Sequence, residues 1–295
     1  MFATVLLYSF LSAVAIQVSY YLFFSAFAFA KKQKKSIYTP AISLLICAKN
    51  EAENLRQNIP FFLKQDYKNF ELVLINDSSS DETLEVMESF KKKHSNIRIV
   101  NVEENENFWG NKKYALTLGI KAAKHEHLLF TDADCKPISN NWIEQMASKF
   151  SDKKTFVLGY GKYKPVKSSF VNILARYETL LTAIQYFSYA LLRNPYMGVG
   201  RNMAYTKSEF YKTKGFISHI QIKSGDDDLF IQEAADRHNT TINFDSESFT
   251  LSEAPTKLKD WFRQKRRHVS TATHYKIYHQ FLLGLFFISK LFMWI

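Results

Sequence analysis

Cysteine, glycine and acidic residues are all scarce in this chain, and each shortage excludes something. The 295 residues include two cysteines, Cys47 and Cys135, far apart and each at the end of an apolar run, with no Cys-x-x-Cys pair. That usage argues against a disulfide-stapled secreted domain and reads as two reduced, buried thiols in a cytosolic domain. No internal repeat or low-complexity linker appears, so solenoids and disordered tails are set aside. Asp and Glu total 28 against 39 Lys and Arg, a net charge of +11. Such a surplus suits anionic partners, whether nucleotide diphosphates, lipid headgroups or nucleic acid, without choosing among them.

Charge is absent altogether from residues 1–30, and Lys31, Lys32, Lys34 and Lys35 follow at once. A run of that length can cross a hydrocarbon core of about 30 Å. Its positive flank comes after the apolar stretch, the reverse of a cleavable signal peptide, so an uncleaved membrane anchor is expected. The positive-inside rule then puts the following domain on the cytoplasmic side of the cell (inner) membrane. Residues 281–295 are apolar apart from Lys290 and read as the start of a second membrane segment or an interfacial one, with 277–295 as its bounds.

Between these ends, short apolar runs alternate with amphipathic stretches. Strands are expected at residues 42–47, 70–75, 97–102 and 127–131, with helices near 51–64, 82–94 and 112–124. This alternation predicts an α/β fold with a doubly wound, mainly parallel sheet, in which ligands lie beyond the carboxyl ends of the strands. A long amphipathic helix is expected near 169–193, able to form an acceptor side or rest on a membrane. A cation-rich helix is expected near 257–276.

The polar residues with chemical potential fall at those strand ends. Asp132 and Asp134 flank Ala133 after an apolar strand; on an extended chain both would point the same way and could hold a hard cation, Mg²⁺ or Mn²⁺. Asp77 follows another apolar strand and could accept from a base N–H or a ribose hydroxyl, leaving Asp81 to cap the next helix. Lys112 and Lys113 open a helix, where anions are favoured, although they could equally be solvated helix cations. Asp226, Asp227 and Asp228 are adjacent, and their repulsion can raise one pKa into the range of a general base; Asp227 is the choice, with a solvated acidic helix start as the alternative. Gln264, Arg267 and His268 belong to a cationic stretch that could bind phosphate oxygens or an anionic lipid surface. Gly200, Arg201 and Asn202, with Tyr186 and Phe187, are assigned to the acceptor side. His125-Glu126-His127 lacks further ligands at zinc-like spacing and reads as a turn entering a strand.

In this order, Ala48-Lys49-Asn50-Glu51, Asp77, Lys112 with Ala115-Leu116, Thr131-Asp132-Ala133-Asp134, Gly225-Asp226-Asp227 and Gln264 to His268 resemble the membrane-bound branch of the family-2 glycosyltransferases, across about residues 40 to 270. That branch includes hyaluronan, chitin and cellulose synthases and ceramide glucosyltransferases. The resemblance implies a GT-A fold over residues 40–255 and inverting transfer of a sugar from a nucleotide sugar, UDP-linked by expectation, to a lipid-linked or polysaccharide acceptor. It implies that Lys49, Asn50, Glu51, Asp77, Lys112, Asp132, Gln264, Arg267 and His268 bind the donor, that Asp134 with Asp132 holds the metal, and that Asp227 with Asp226 is catalytic. Membrane lipids are expected partners and nucleic acid is not. The chain departs from the pattern at His268, where the signature Gln-x-x-Arg-Trp has Trp, and at Asp228, which leaves the acidic pair open by one residue.

Two rival readings follow from the same residues. A nucleotidyltransferase would use a similar sheet, but its first loop is usually glycine-rich, and Ala48-Lys49-Asn50-Glu51 has no glycine. A non-catalytic basic protein that binds lipid would explain the charge but not the carboxylates at strand ends, which repel phosphates unless a cation intervenes.

Overall fold

A computed structural model of the chain describes residues 1–25, 27–30, 38–103 and 112–293. The lysine cluster that would orient the chain in a membrane lies outside the described residues. Helix α1 (Phe2–Ser25) precedes strand β1 (Ile42–Ala48), α2 (Ala52–Leu63), β2 (Phe70–Asp77), α3 (Thr83–Lys91), β3 (Ile97–Val102), α4 (Lys112–Ala122) and β4 (His127–Asp132). Then come β5 (Lys136–Pro137), α5 (Trp142–Ala147), β6 (Phe156–Leu158), β7 (Gly161–Tyr163), α6 (Phe170–Leu191), β8 (Met203–Thr206) and α7 (Lys207–Lys212). The remainder is α8 (Asp228–Ala234), β9 (Thr240–Ile242), β10 (Thr250–Ser252), α9 (Leu258–Ala272) and α10 (Ile277–Phe292).

The main sheet has the order β3-β2-β1-β4-β8-β6-β9. Its first four strands are parallel, while β8 runs antiparallel to both β4 and β6. The expected doubly wound sheet is therefore mainly parallel, with one reversed strand. Residues of β1 alternate between two buried faces: Leu45 packs with α4, and Leu44 and Ile46 pack with α2 and α5. Burial on both sides is why these strands read as unbroken apolar runs. A small second sheet, β5-β10-β7, sits beyond the end of β4.

Register sets the strand ends level. Ala48 pairs with Asn76, and Cys47 pairs with both Ile75 and Asp132. Three neighbouring strands thus deliver Lys49, Asp77 and Asp132 to one edge. Helix α4 presses on that edge through Gly119, where an added Cβ would lie 2.1 Å from Ile75 Cδ1. Gly119→Ala is expected to cost about 1–3 kcal/mol by overpacking a filled core, read as a lower urea midpoint with an unchanged m-value.

Helix α1 is, among the described residues, the one long and apolar enough to cross a membrane. Residues 2–12 of α1 are exposed, and Ala13, Gln17, Tyr20 and Phe24 form a stripe against α10. Gln17 Nε2 donates to the Phe286 carbonyl (2.8 Å) and Ser289 Oγ (2.8 Å), and the Tyr20 hydroxyl donates to the Leu282 carbonyl (2.6 Å). The single helix expected over 257–276 is shorter: α9 stops at Ala272, and a turn leads into α10. Gln280 Nε2 stabilises that turn by donating to the carbonyls of Thr273 (3.0 Å) and Tyr275 (2.7 Å), a contact that helix periodicity does not announce.

Candidate active site

The loops after β1 and β2 are laced together. Asn50, at φ 57°, accepts the Ser80 N–H on its side-chain oxygen (2.8 Å), and its own N–H reaches Ser79 Oγ (3.0 Å). Asp81 accepts from the N–H groups of both Ala52 (3.2 Å) and Thr83 (3.0 Å), so it caps two helices at once and leaves Asp77 to the cleft. Asn50 is therefore a loop lock, its carbonyl oxygen already occupied. Asp77 is buried, and that burial raises its pKa against the opposing charges of Lys49 and Lys112. Glu51 is likewise raised by burial, with a hydrogen bond from Asn54 opposing and the charges of Asp134 and Asp132 adding.

Asp132 closes β4, whereas Asp134 stands in the turn that follows, where the Cys135 N–H returns to the Asp132 carbonyl (3.1 Å). The expectation of an extended pair is corrected on that point: the turn, and not strand alternation, brings the two carboxylates together. Ligand atoms of Asp132, Asp134 and Cys135 all lie within 4.8 Å of one another. Two carboxylates suit a hard divalent ion such as Mg²⁺ or Mn²⁺. Cys135 does not fit that ion: burial holds its thiol well above the ordinary range, and its Sγ donates to Asp134 Oδ1 (3.3 Å). Asp134 is raised by burial and by the neighbouring Asp132 charge, a clash that a cation would relieve.

Lys112, the first residue of α4, bridges the two acidic clusters. Its Nζ lies 2.8 Å from Asp132 Oδ1 and 3.1 Å from Asp226 Oδ2. Although burial opposes it, this pair of carboxylates raises Lys112 well above its usual value, and the same ammonium outweighs burial to hold Asp132 low. Cys47, Lys112, Thr131, Asp132, Gly200 and Asp226 line one shared cleft. Lys113, one residue on, points elsewhere: its buried Nζ donates to the carbonyls of His219 (2.7 Å) and Ile222 (3.0 Å).

The three consecutive aspartates have different surroundings. Asp226 meets Lys112. Asp227 caps α8, with Oδ1 accepting from Asp228 N–H (2.8 Å) and Oδ2 from Gly200 N–H (2.8 Å). Burial, then the charges of Asp226 and Asp228, push Asp227 up to about 7. Asp228 turns into the protein, where its Oδ2 accepts from Thr271 Oγ1 (2.5 Å) and the Tyr275 hydroxyl (2.6 Å). It ties α8 to the end of α9 and has no freedom to meet a substrate.

Helix α9 is tied to α6 through Glu178, which receives Lys265 Nζ (2.7 Å) and Trp261 Nε1 (3.2 Å). Gln264 Nε2 donates to the Tyr163 hydroxyl (3.0 Å). Arg267 is exposed, with its charge acting on Asp132, and His268 is exposed beside it, its carbonyl accepting from Thr271 Oγ1.

Not all of the acceptor-side expectations survive. Asn202 is fully buried, accepting from Trp142 Nε1 (3.1 Å) and donating to the carbonyls of Tyr160 (2.9 Å) and Ser248 (2.7 Å). Tyr186 is buried with its hydroxyl on the Gly159 carbonyl (2.6 Å), and Phe187 stacks on Phe27. These three hold the core together. Gly200 lines the cleft, and the Arg201 guanidinium lies over the Tyr163 ring. His127 packs edge-on against Phe150 at 4.6 Å, and Glu126 accepts from Ser208 N–H, so that triplet is spent on packing. Tyr163, missed in the sequence, lies in a three-residue strand too short to carry any pattern.

Carboxylates at level strand ends, a cation bridging them to a second acidic cluster, and a basic helix across the opening define a nucleotide-dependent transferase architecture of the GT-A kind. The model of the family "Glycosyl transferase family 2" matches residues 43–212, and the chain belongs to that family. A poly-beta-1,6-N-acetyl-D-glucosamine synthase of Staphylococcus epidermidis is 38% identical over 93 residues, 32% of this chain and 21% of that protein. An uncharacterized glycosyltransferase of Haemophilus influenzae is 27% identical over 158 residues, 53% of this chain and 44% of its own length. The matches thus span less than half of these curated relatives. Among solved structures, a mannosyltransferase of Pyrobaculum calidifontis in complex with GDP-Man and Mn²⁺ shares the fold at a TM-score of 0.70 and 16% identity, covering 94% of this chain and 77% of that one. TarS of S. aureus in complex with UDP-GlcNAc shares it at 0.52 and 18%, covering 74% and 59%.

Proposed function

We propose that this chain transfers a sugar, with inversion, from a nucleoside-diphosphate sugar to a hydroxyl of a lipid-linked or glycan acceptor at the cytoplasmic face of the cell membrane. The observation that carries the reading is the Lys112 bridge between Asp132 at the end of β4 and Asp226 beside Asp227. Residues 40–255 are the catalytic unit in this reading, with α1 as its anchor. Helix α9, which exposes Leu258 and Phe262 among its cations, is the interfacial element. Two structures of the same fold in complex with GDP-Man and with UDP-GlcNAc support a nucleotide-sugar donor, and UDP is the nucleotide proposed here.

Asp132 and Asp134 would hold Mg²⁺ or Mn²⁺, which supplies positive charge against the diphosphate. Asp77 and Glu51 receive the nucleoside side. Asp227 takes the proton from the acceptor hydroxyl as its oxygen bonds to the anomeric carbon. The bond from that carbon to the diphosphate oxygen breaks, and its electron pair leaves with the diphosphate, towards which Arg267 supplies charge. Lys112 keeps Asp132 ionised and, placed between Asp132 and Asp226, offsets the repulsion between the two acidic clusters. Asp227 must be unprotonated to act, and its raised pKa means that protonation sets in near neutrality. The rate with saturating donor is expected to fall about tenfold per unit as pH drops below about 7, and to level above it. A profile flat from pH 5 to 8 would remove Asp227 from this role.

The test is incubation of membranes containing the chain with nucleotide sugars and Mn²⁺ or Mg²⁺, with product identified by mass. Release of the nucleoside diphosphate supports the reading; release of pyrophosphate would mean a nucleotidyltransferase, and no metal-dependent nucleotide binding a non-catalytic protein.

A further inference from the structure

Arg201 is a cation whose charge reaches the strand-end carboxylates and which the mechanism above leaves without work. Its backbone carbonyl is fastened on two sides, accepting from Thr131 Oγ1 at the end of β4 (3.0 Å) and from Thr250 Oγ1 in β10 (3.0 Å). Its guanidinium carbon lies 4.5 Å from the centre of the Tyr163 ring. The Tyr163 hydroxyl in turn receives Gln264 Nε2. Space for this arrangement comes from Gly161, two residues before Tyr163, where an added Cβ would sit 2.3 Å from Arg201 Nε. A planar cation is therefore laid on an aromatic shelf whose tilt is set from α9.

The guanidinium is half-buried, yet no ion pair within 4.0 Å joins it to a carboxylate among the described residues. A cation removed from water without an anion is costly. Its charge nevertheless bears on Asp132 and Asp134, as that of Arg267 on α9 bears on Asp132. The anion that fits must thus lie next to the strand-end carboxylates, between Arg201 and Arg267.

We propose that Arg201 binds the diphosphate of the donor and of the departing nucleotide, and that Gln264 acts as a positioning residue by fixing the Tyr163 shelf beneath it. The inference rests on the transferase reading and deepens it, giving the Gln of the Gln264-x-x-Arg267 motif an indirect role in this chain. A diphosphate offers two phosphate groups to the two guanidinium charges that bear on Asp132, whereas a nucleoside monophosphate offers one.

The experiment is calorimetric titration of the full chain in detergent with Mn²⁺ and, in separate runs, UDP, GDP and UMP. Arg201→Ala is expected to weaken binding of the preferred diphosphate about 10- to 100-fold while changing UMP affinity less than twofold. Gly161→Ala, which leaves Arg201 in the sequence but takes its place on the shelf, is expected to reproduce the loss. Gln264→Ala should give a smaller loss and raise KM for the donor more than it lowers kcat, and Gln264→Leu, which can neither donate to nor accept from the Tyr163 hydroxyl, should match it. Thermal melting of each variant shows which are folded, and Gly161→Ala and Gln264→Ala carry the test if Arg201→Ala is not. Unchanged diphosphate binding in folded Arg201→Ala and Gly161→Ala overturns the proposal, as does a rise in acceptor KM alone. If the wild-type chain binds neither diphosphate with Mn²⁺, the transferase reading itself fails first, and with it this inference.

Discussion

Asp227→Asn is expected to lower kcat by about 10²- to 10⁴-fold, the usual worth of a positioned general base, with little change in donor affinity. The single amide oxygen can keep the Asp228 N–H and with it the cap of α8, while the Gly200 N–H loses its acceptor, a structural cost that thermal melting reads separately from turnover. What is lost is the ability to accept a proton. The neighbouring substitution makes the contrast. Asp228→Asn removes a charge that Thr271 and Tyr275 both serve, and is expected to lower the melting temperature by several degrees while leaving most of kcat in the folded fraction. Measured side by side, the two variants resolve which aspartate of the run does chemistry. Full turnover in Asp227→Asn with loss in Asp226→Asn would move the base by one residue.

Asp134→Ala is the second substitution with a large expected effect. Removing one of two hard ligands should abolish detectable Mn²⁺-dependent binding of the nucleoside diphosphate and reduce turnover on the order of 10³-fold, the several kcal/mol that such a charge supplies. Asp134 stands in a turn, where its carboxylate accepts from Cys135 Sγ, so the fold should tolerate the change. Asp132→Ala would be less clean, because Lys112 would lose one of its two partners and pull on Asp226 instead. Retention of full activity by Asp134→Ala would contradict the metal role.

Much of this site was readable before any coordinates. Apolar runs ending in Asp77 and Asp132 announce buried parallel strands, because a strand covered on both faces cannot alternate, and the parallel register then makes their ends level. The spacing of α2, α3 and α4 is legible for a related reason: each has a buried stripe on one face only. The reversed strand β8 was not legible, since its four buried residues look like those of any inner strand. Nor was the turn at Asp134, where no glycine or proline marks the change.

By itself, then, the order of residues determined the α/β class, the two acidic clusters, the basic helix and the apolar ends, since these follow from local periodicity and from the cost of burying charge. Only the folded chain decided how three adjacent aspartates divide their work, why Asn202 and Tyr186 belong to the core, and that Arg201 rests on Tyr163. Those assignments depend on hydrogen bonds and ring contacts between residues far apart in the chain, and the direction of a side chain is set by its partners and not by its neighbours in sequence.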